Sequence, residues 1–162
     1  MAPPYVFRPM TAADLPLVRR WLAEPHVAQW WGDTCEQFEL VSGDLEVEAM
    51  DQFIVATDAR PFGYIQCYDP DVWPDNGLGD HPRGTRGIDQ FIGELAMVDR
   101  GHGSAFIRVF IDRLLASGTP RVITDPDPEN ARAIRAYEKA GFEKVHLVDT
   151  PDGTALLMVR NA

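Results

Sequence analysis

Residues Gly87 to Ser104 read GIDQFIGELAMVDRGHGS: an extended apolar run, a glycine-punctuated turn and the first residues of a helical pattern. Glycines at 101 and 103 let the backbone curl with its N–H groups pointing inward, and let an anion approach where a Cβ would stand. The first turn of the following helix adds unpaired donors and the positive end of its dipole. A phosphate or pyrophosphate is the natural guest, although a G-x-G turn before a helix serves equally as a plain turn. A second element is needed to separate these readings, and Asn130 to Phe142 (NARAIRAYEKAGF) supplies one.

Downstream of the turn, Ala105 to Ala116 carries Phe106, Ile107, Phe110, Ile111, Leu114 and Leu115 at helical spacing and ends before Gly118 and Pro120. RVIT at 121–124 reads as a short buried strand. Asp127 reads as an N-cap with Pro128 at the first helical position, opening a helix to about Ala140 that stops at Gly141. Seven residues nearly complete two turns, so Asn130, Ala133 and Tyr137 share one stripe. Phe142 to Val148 and Ala155 to Val159 close the chain as strands around the hairpin turn Pro151-Asp152-Gly153.

Upstream, QFIVAT (52–57) and FGYIQCY (62–68) form a hairpin over Asp58-Ala59-Arg60-Pro61. Asp69 to Arg86 holds Pro70, Pro74, Pro82, Gly77, Gly79 and Gly84, more breakers than a core element tolerates. With Asp69, Asp71, Trp73, Asp75 and Asp80 it suits a mobile acidic flap beside a cleft. Tyr5 to Arg8 is a first strand, and Thr11-Ala12-Ala13-Asp14 a capping-box-like start for a helix carrying Leu15, Val18 and Leu22, its first turn disturbed by Pro16. In PHVAQWWG (25–32), Trp30 and Trp31 do not both fit one core from a regular helix; they are either a flat apolar wall for a ring-shaped substrate or two aromatics packed at a helix end. His26 reads as a polar surface or capping residue rather than a catalyst, and Cys35 to Met50 as one or two short helices.

The 162 residues suit a single domain, 1–162, with a real core. With 15 basic against 25 acidic residues, a formal charge of -10, the chain repels nucleic acid and anionic lipid, and it attracts a cationic small molecule if the acids gather round a cleft; solubility is the plainer use of such charge. Cys35 and Cys67 lack metal-type spacing, so neither a metal nor a disulfide framework is expected. No leader pattern opens the sequence and no apolar run nears about eighteen residues, so the expected location is cytoplasmic, without a membrane. Nothing in the pattern speaks to oligomeric state.

Strand, helices, three strands, glycine turn, helix, strand, helix, two strands: over essentially the whole chain this order resembles the GNAT N-acetyltransferase fold, an α/β (α+β) architecture with a mixed, mostly antiparallel sheet flanked by helices. In that family the turn after the fourth strand binds the pyrophosphate of coenzyme A, usually as Gln or Arg, two residues, Gly, one residue, Gly or Ala. Gly101 and Gly103 match, and Val98 stands at the Gln/Arg position; the backbone donors remain. Within the family the chain is most similar to the aminoglycoside 6'-N-acetyltransferases, through HVAQWWG (26–32), RGIDQFIGE (86–94), TDPDPENARAIRAYEKAGF (124–142) and TPDG (150–153). The resemblance implies acetyl-coenzyme A as co-substrate, a cationic aminoglycoside as acceptor and antibiotic resistance as a role. It implies cofactor contacts at Phe91, Ile92, Val98, Gly101, His102, Gly103, Ser104, Asn130 and Tyr137, and substrate contacts at Trp30, Trp31, Asp89, Asp125 and Asp152; the long loop matches none of these motifs, and Asp75 and Asp80 are expected at the substrate from the acidic-flap reading alone.

An alkyl amine at neutral pH is mostly ammonium, so acetyl transfer needs a base; Asp89 would take the proton directly or through a water. Acids that attract a polycation also raise the pKa of its amines, and a base held against the one reacting nitrogen resolves part of that conflict. Backbone N–H groups near Phe91 and Ile92 would stabilise charge developing on the carbonyl oxygen, and Tyr137 would protonate the departing thiolate. Plainer roles stand beside these: a core tyrosine at 137, an ion-paired strand acid at 89, turn-forming acids at 125 and 152. Two other functions fit the same frame: an acyltransferase of hydroxamate siderophore synthesis, whose single-cation substrate needs no acidic loops, and a non-catalytic acyl-coenzyme A binding module, which needs neither Asp89 nor Tyr137.

Overall fold

A computed structural model describes residues 4–162, and the chain divides into two compact units. The first runs up to Cys67 and takes in Gln90–Arg100; the second holds Tyr68–Asp89 and Gly101–Ala162.

In the first unit, strand β1 (Tyr5–Pro9) pairs antiparallel with β2 (Met50–Thr57), from Tyr5 opposite Thr57 to Pro9 opposite Phe53. Strand β3 (Arg60–Tyr68) follows after only Asp58 and Ala59, both at positive φ (50° and 62°). This two-residue turn matches the twist of the flanking strands, so Arg60 and Pro61 belong to β3 rather than to the expected four-residue turn. Helices α1 (Leu15–Leu22), α2 (Pro25–Trp31) and α3 (Thr34–Gly43) lie between β1 and β2. Pro16 leaves the first turn as a separate 3-10 segment, Ala12–Asp14, in which the Thr11 N–H donates to the Asp14 carboxylate at 2.9 Å. The Arg8 guanidinium grips that carboxylate at 2.7 and 2.9 Å and holds its pKa below the usual value. The core of the unit gathers Val18, Trp21, Leu22, Val27, Val41, Ile54, Tyr64 and Phe91.

The second unit contains α4 (His102–Ala116), β5 (Arg121–Thr124), α5 (Ala131–Lys139), β6 (Glu143–Thr150) and β7 (Gly153–Asn161). Strand β4 (Arg86–Ile92) begins in this unit and ends in the first. β4 and β5 run parallel, whereas β7 pairs antiparallel with both β5 and β6. Among the described residues the sheet has seven strands in the order β1-β2-β3-β4-β5-β7-β6, the mixed and mostly antiparallel class expected. No helix among them is long and apolar enough to cross a membrane.

Three expectations change. Helix α4 starts at His102, so Gly103 and Ser104 lie in its first turn, and the bend before it is made by Gly101, at φ +81°, with Asp99 at φ 59°. Asp127 accepts from the Glu129 N–H at 2.9 Å and closes a local turn over Pro128; Asn130 is the N-cap of α5, its Oδ1 accepting from the Ala133 N–H at 3.2 Å. The loop of residues 69–85 is anchored rather than loose. Leu78 is 3% exposed within a cluster of Ile123, Val148, Ala155 and Leu157, and Gly77 sits so close to the Asp149 carbonyl that a Cβ would stand 2.0 Å from its oxygen. The His81 Nε2–H donates to the Leu78 carbonyl at 2.8 Å, and Nδ1 accepts from Arg121 at 3.1 Å. Burial of one leucine is worth about 2 kcal/mol, enough to tie a loop tip down while Asp71, Asp75 and Asp80 stay exposed.

Candidate active site

The ladder between β4 and β5 covers only Arg86 opposite Val122 and Gly87 opposite Ile123. Just beyond it the Thr124 hydroxyl donates to the Ile88 carbonyl at 3.1 Å, at the C-terminal end of β5, where Asp125 follows. Asp89 lies two residues after Gly87 and therefore on the same face of β4. That face has no side chain at Gly87 because the Tyr68 ring occupies the place: a Cβ there would stand 2.4 Å from Tyr68 Cζ. Trp73 packs edge-on against Tyr68, with centroids 5.9 Å apart.

Asp152 comes from the β6–β7 hairpin, and with Asp89 it flanks Asp125. Loss of solvation, then the charge of Asp89, then that of Asp152 push the Asp125 pKa up from 3.8 to about 8. Carboxylates from two other stretches thus act on Asp125, and with its burial they favour its neutral form. The structure brings Asp89, Asp125 and Asp152 together; Asp75 and Asp80 remain on the exposed surface of the loop.

At the glycine turn, Gly101 has a conformation that L side chains rarely adopt, and a Cβ built there would meet nothing within 4 Å. The Ala105 N–H closes onto the Gly101 carbonyl at 3.3 Å, and the Ser104 hydroxyl reaches the same carbonyl at 3.4 Å. Val98, at the end of a 3-10 segment (Leu95–Met97), already uses its N–H on the Leu95 carbonyl at 3.1 Å. The donors suited to an anion are those of the first turn of α4. On α5, the capping Asn130 uses its oxygen and keeps its amide N–H groups for another partner, while Tyr137 is 4% exposed and lies edge-on to Phe142 at 5.4 Å.

The other end of β4 is aromatic. Phe91 is buried, stacked on Tyr64 at 5.3 Å and met edge-on by Trp31 at 5.1 Å and Trp21 at 6.1 Å. Its side chain belongs to the core, which leaves only its backbone for a ligand. Trp31 is half-buried against this core, as packing at a helix end requires, and its neighbour Trp30 is half-buried too. His26 departs from its expected surface role: its Nε2 lies 2.8 Å from the Ile92 carbonyl. The contacts missed from sequence, those of Tyr68 and Trp21, had one local signal. Gly87 and Gly93 interrupt or follow a strand, and each marks the close approach of a ring.

The family model for the acetyltransferase (GNAT) domain matches residues 10–150. The aminoglycoside N(6')-acetyltransferase type 1 of Klebsiella pneumoniae is 35% identical over 94% of this chain and 81% of its own length. The structure of AAC(6')-Ib with parmomycin and acetyl-coenzyme A has a TM-score of 0.81 at 33% identity, covering 97% of this chain and 93% of that one. The AAC(6')-Ib complex with coenzyme A and kanamycin gives 0.80 at 32%, covering 97% and 94%.

Proposed function

Because the chain belongs to the GNAT acetyltransferase family, we propose that it is an acetyl-coenzyme A-dependent N-acetyltransferase that acts on the 6'-amino group of aminoglycosides. The relatives named above carry that activity in their names, and solved neighbours hold coenzyme A with an aminoglycoside. One observation in this chain carries the choice of substrate: Asp125 is buried beside the like charges of Asp89 and Asp152, and burial first, then those charges, push its pKa up to about 8. Such crowding is unfavourable without a guest, and a polycation is the guest that relieves it. The matched span takes residues from both compact units, which supports reading them as one catalytic domain, and the acidic, cysteine-poor composition suits the cytoplasm.

Acetyl-coenzyme A would supply the activated acetyl group as a thioester. Gly101 and the first turn of α4, with His102, Gly103 and Ser104, fit its pyrophosphate: the bend requires glycine, the space above it is open, and the helix dipole favours an anion. Asn130 would offer its amide N–H groups to the same molecule. Asp125 and Asp152 hold the ammonium groups of the acceptor, with Asp75 and Asp80 on the loop as outer partners and the Tyr68–Trp73 pair as an apolar platform. Asp89 accepts the proton of the reacting amine, freeing its lone pair. The Phe91 N–H faces β3 with that of Gly93, so the Ile92 N–H is the one that stabilises negative charge on the acetyl oxygen, and Tyr137 donates a proton to the thiolate as the carbon–sulfur bond breaks.

The test is thiol release from acetyl-coenzyme A by the purified protein, offered kanamycin-type aminoglycosides with and without a 6'-amine and, separately, hydroxylysine. Release confined to the 6'-amine compounds is expected. Release with hydroxylysine alone would replace this reading with siderophore chemistry, and tight cofactor binding without turnover would replace it with a binding module.

A further inference from the structure

The last residues of β4 and the two that follow it, Gly93 and Glu94, are held one by one from α1 and α2. Phe91 lies between Trp21 and Trp31; the Ile92 carbonyl faces His26; Gly93 lies against Trp21, where a Cβ would stand 2.1 Å from Cγ. The Glu94 carboxylate accepts from Trp21 Nε1 at 2.5 Å and from Arg20 at 3.0 Å. A carbonyl can only accept, so His26 must carry its proton on Nε2 for the 2.8 Å contact to be a hydrogen bond. Meanwhile the N–H groups of Gly93 and Glu94 both donate to the Phe62 carbonyl, at 2.8 and 3.2 Å, a two-against-one bulge.

The Ile92 carbonyl and the Gly93 N–H belong to a single rigid peptide plane. His26 fixes one side of that plane and Phe62 the other. Without His26 the plane keeps only its Phe62 side, on an acceptor it shares with Glu94, and can rock about that hinge. The Ile92 N–H lies one residue back along the same strand, so rocking would be passed directly to it. Helix α2 is well placed to resist this, because it grips β4 twice: His26 in its first turn holds Ile92, and Trp31 in its last holds Phe91.

We propose that His26 is a positioning residue for acetyl transfer, pinning the Ile92–Gly93 peptide plane so that the Ile92 N–H, on the strand edge away from β3, keeps its aim at the acetyl oxygen. It rests on the acetyltransferase reading above. Oxyanion donors act through geometry that is set before the reaction, and small misplacements far from the reacting atoms cost rate rather than binding.

The experiment compares the intact protein with His26→Ala and His26→Gln, following thiol release with kanamycin and acetyl-coenzyme A alongside thermal melts. His26→Ala should lower kcat about tenfold or more while KM for kanamycin stays near its original value. His26→Gln, whose amide nitrogen reaches as far as Nε2, should recover most of the loss. A merely structural role would lower the melting temperature of both variants and leave kcat of the folded fraction alone. The proposal is overturned if His26→Ala turns over like the unaltered protein, or if His26→Gln is as slow as His26→Ala at equal melting temperature. Should His26→Ala fail to fold, His26→Asn, whose amide has the shorter reach of Nδ1, is compared with His26→Gln in its place and should be the slower of the two. An unaltered protein that never acetylates kanamycin would sink the acetyltransferase reading and this inference with it, a pattern distinct from failure of the His26 variants alone.

Discussion

The Phe91–Glu94 end of β4 and the acids around Asp125 handle polar groups in opposite ways. At the strand end, donors meet acceptors: His26 meets the Ile92 carbonyl, two N–H groups meet Phe62, and Trp21 and Arg20 meet the Glu94 carboxylate. Around Asp125, burial and then the like charges of Asp89 and Asp152 disfavour its carboxylate form. The first arrangement is mutually attractive and the second is not. Substitutions at the strand end should therefore cost stability or rate, whereas substitutions among the acids should cost function while leaving the fold as stable or more so.

The sharpest contrast is expected at Asp89. Asp89→Asn removes the proton acceptor and keeps the shape, so kcat for a 6'-amino aminoglycoside should fall by roughly 10²–10⁴ with a much smaller change in KM. Its melting temperature should be unchanged or raised, because a like charge beside Asp125 has gone. An unaltered rate in steady-state kinetics would remove Asp89 from the chemistry.

Next in size comes Gly93→Ala. The added methyl would stand 2.1 Å from Trp21 Cγ, and that ring is 1% exposed and hydrogen-bonded to Glu94, so it has little room to yield. Overpacking of this kind costs about 2–3 kcal/mol, a fall of roughly 4–12 °C in melting temperature for a chain of this size. A melt within a degree of the unaltered protein would show that the strand end is looser than its contacts suggest. It would also weaken the contrast with the acids.

Much of this was legible along the chain and some was not, for a physical reason. Periodicity and breakers located β5 at Arg121–Thr124, the end of α4 at Ala116 and the hairpin at Pro151-Asp152, because those signals act within a few residues. Asp127 and Asn130 are both good caps, and the choice fell to Asn130 once Asp127 had closed its own turn on Glu129. The roles of His26, Gly77 and Gly93 depend on Ile92, Asp149 and Trp21, partners some 66 to 72 residues away that no local pattern encodes. The grouping of Asp89, Asp125 and Asp152 came from resemblance; the proton that the grouping leaves on Asp125 came from the structure.

The third effect expected is that of the proton itself. Its folded pKa, about 8, lies above the ordinary 3.8, so the folded chain binds a proton that the unfolded chain has lost between these values. Stability from this group is fully present below about pH 4 and is lost as pH rises towards 8. Asp125→Asn should remove that loss and raise the melting temperature more at pH 8 than at pH 5. An ammonium group placed against Asp125 favours its charged form, so aminoglycoside binding at pH 7 should release up to about one proton from this residue. Calorimetry in two buffers of different ionisation enthalpy reads the release as a difference in apparent binding enthalpy. Asp125→Asn should shift the count towards proton uptake by the same amount; identical counts in the two proteins would mean that the cation binds away from Asp125, and that the crowding of these acids serves something other than the acceptor.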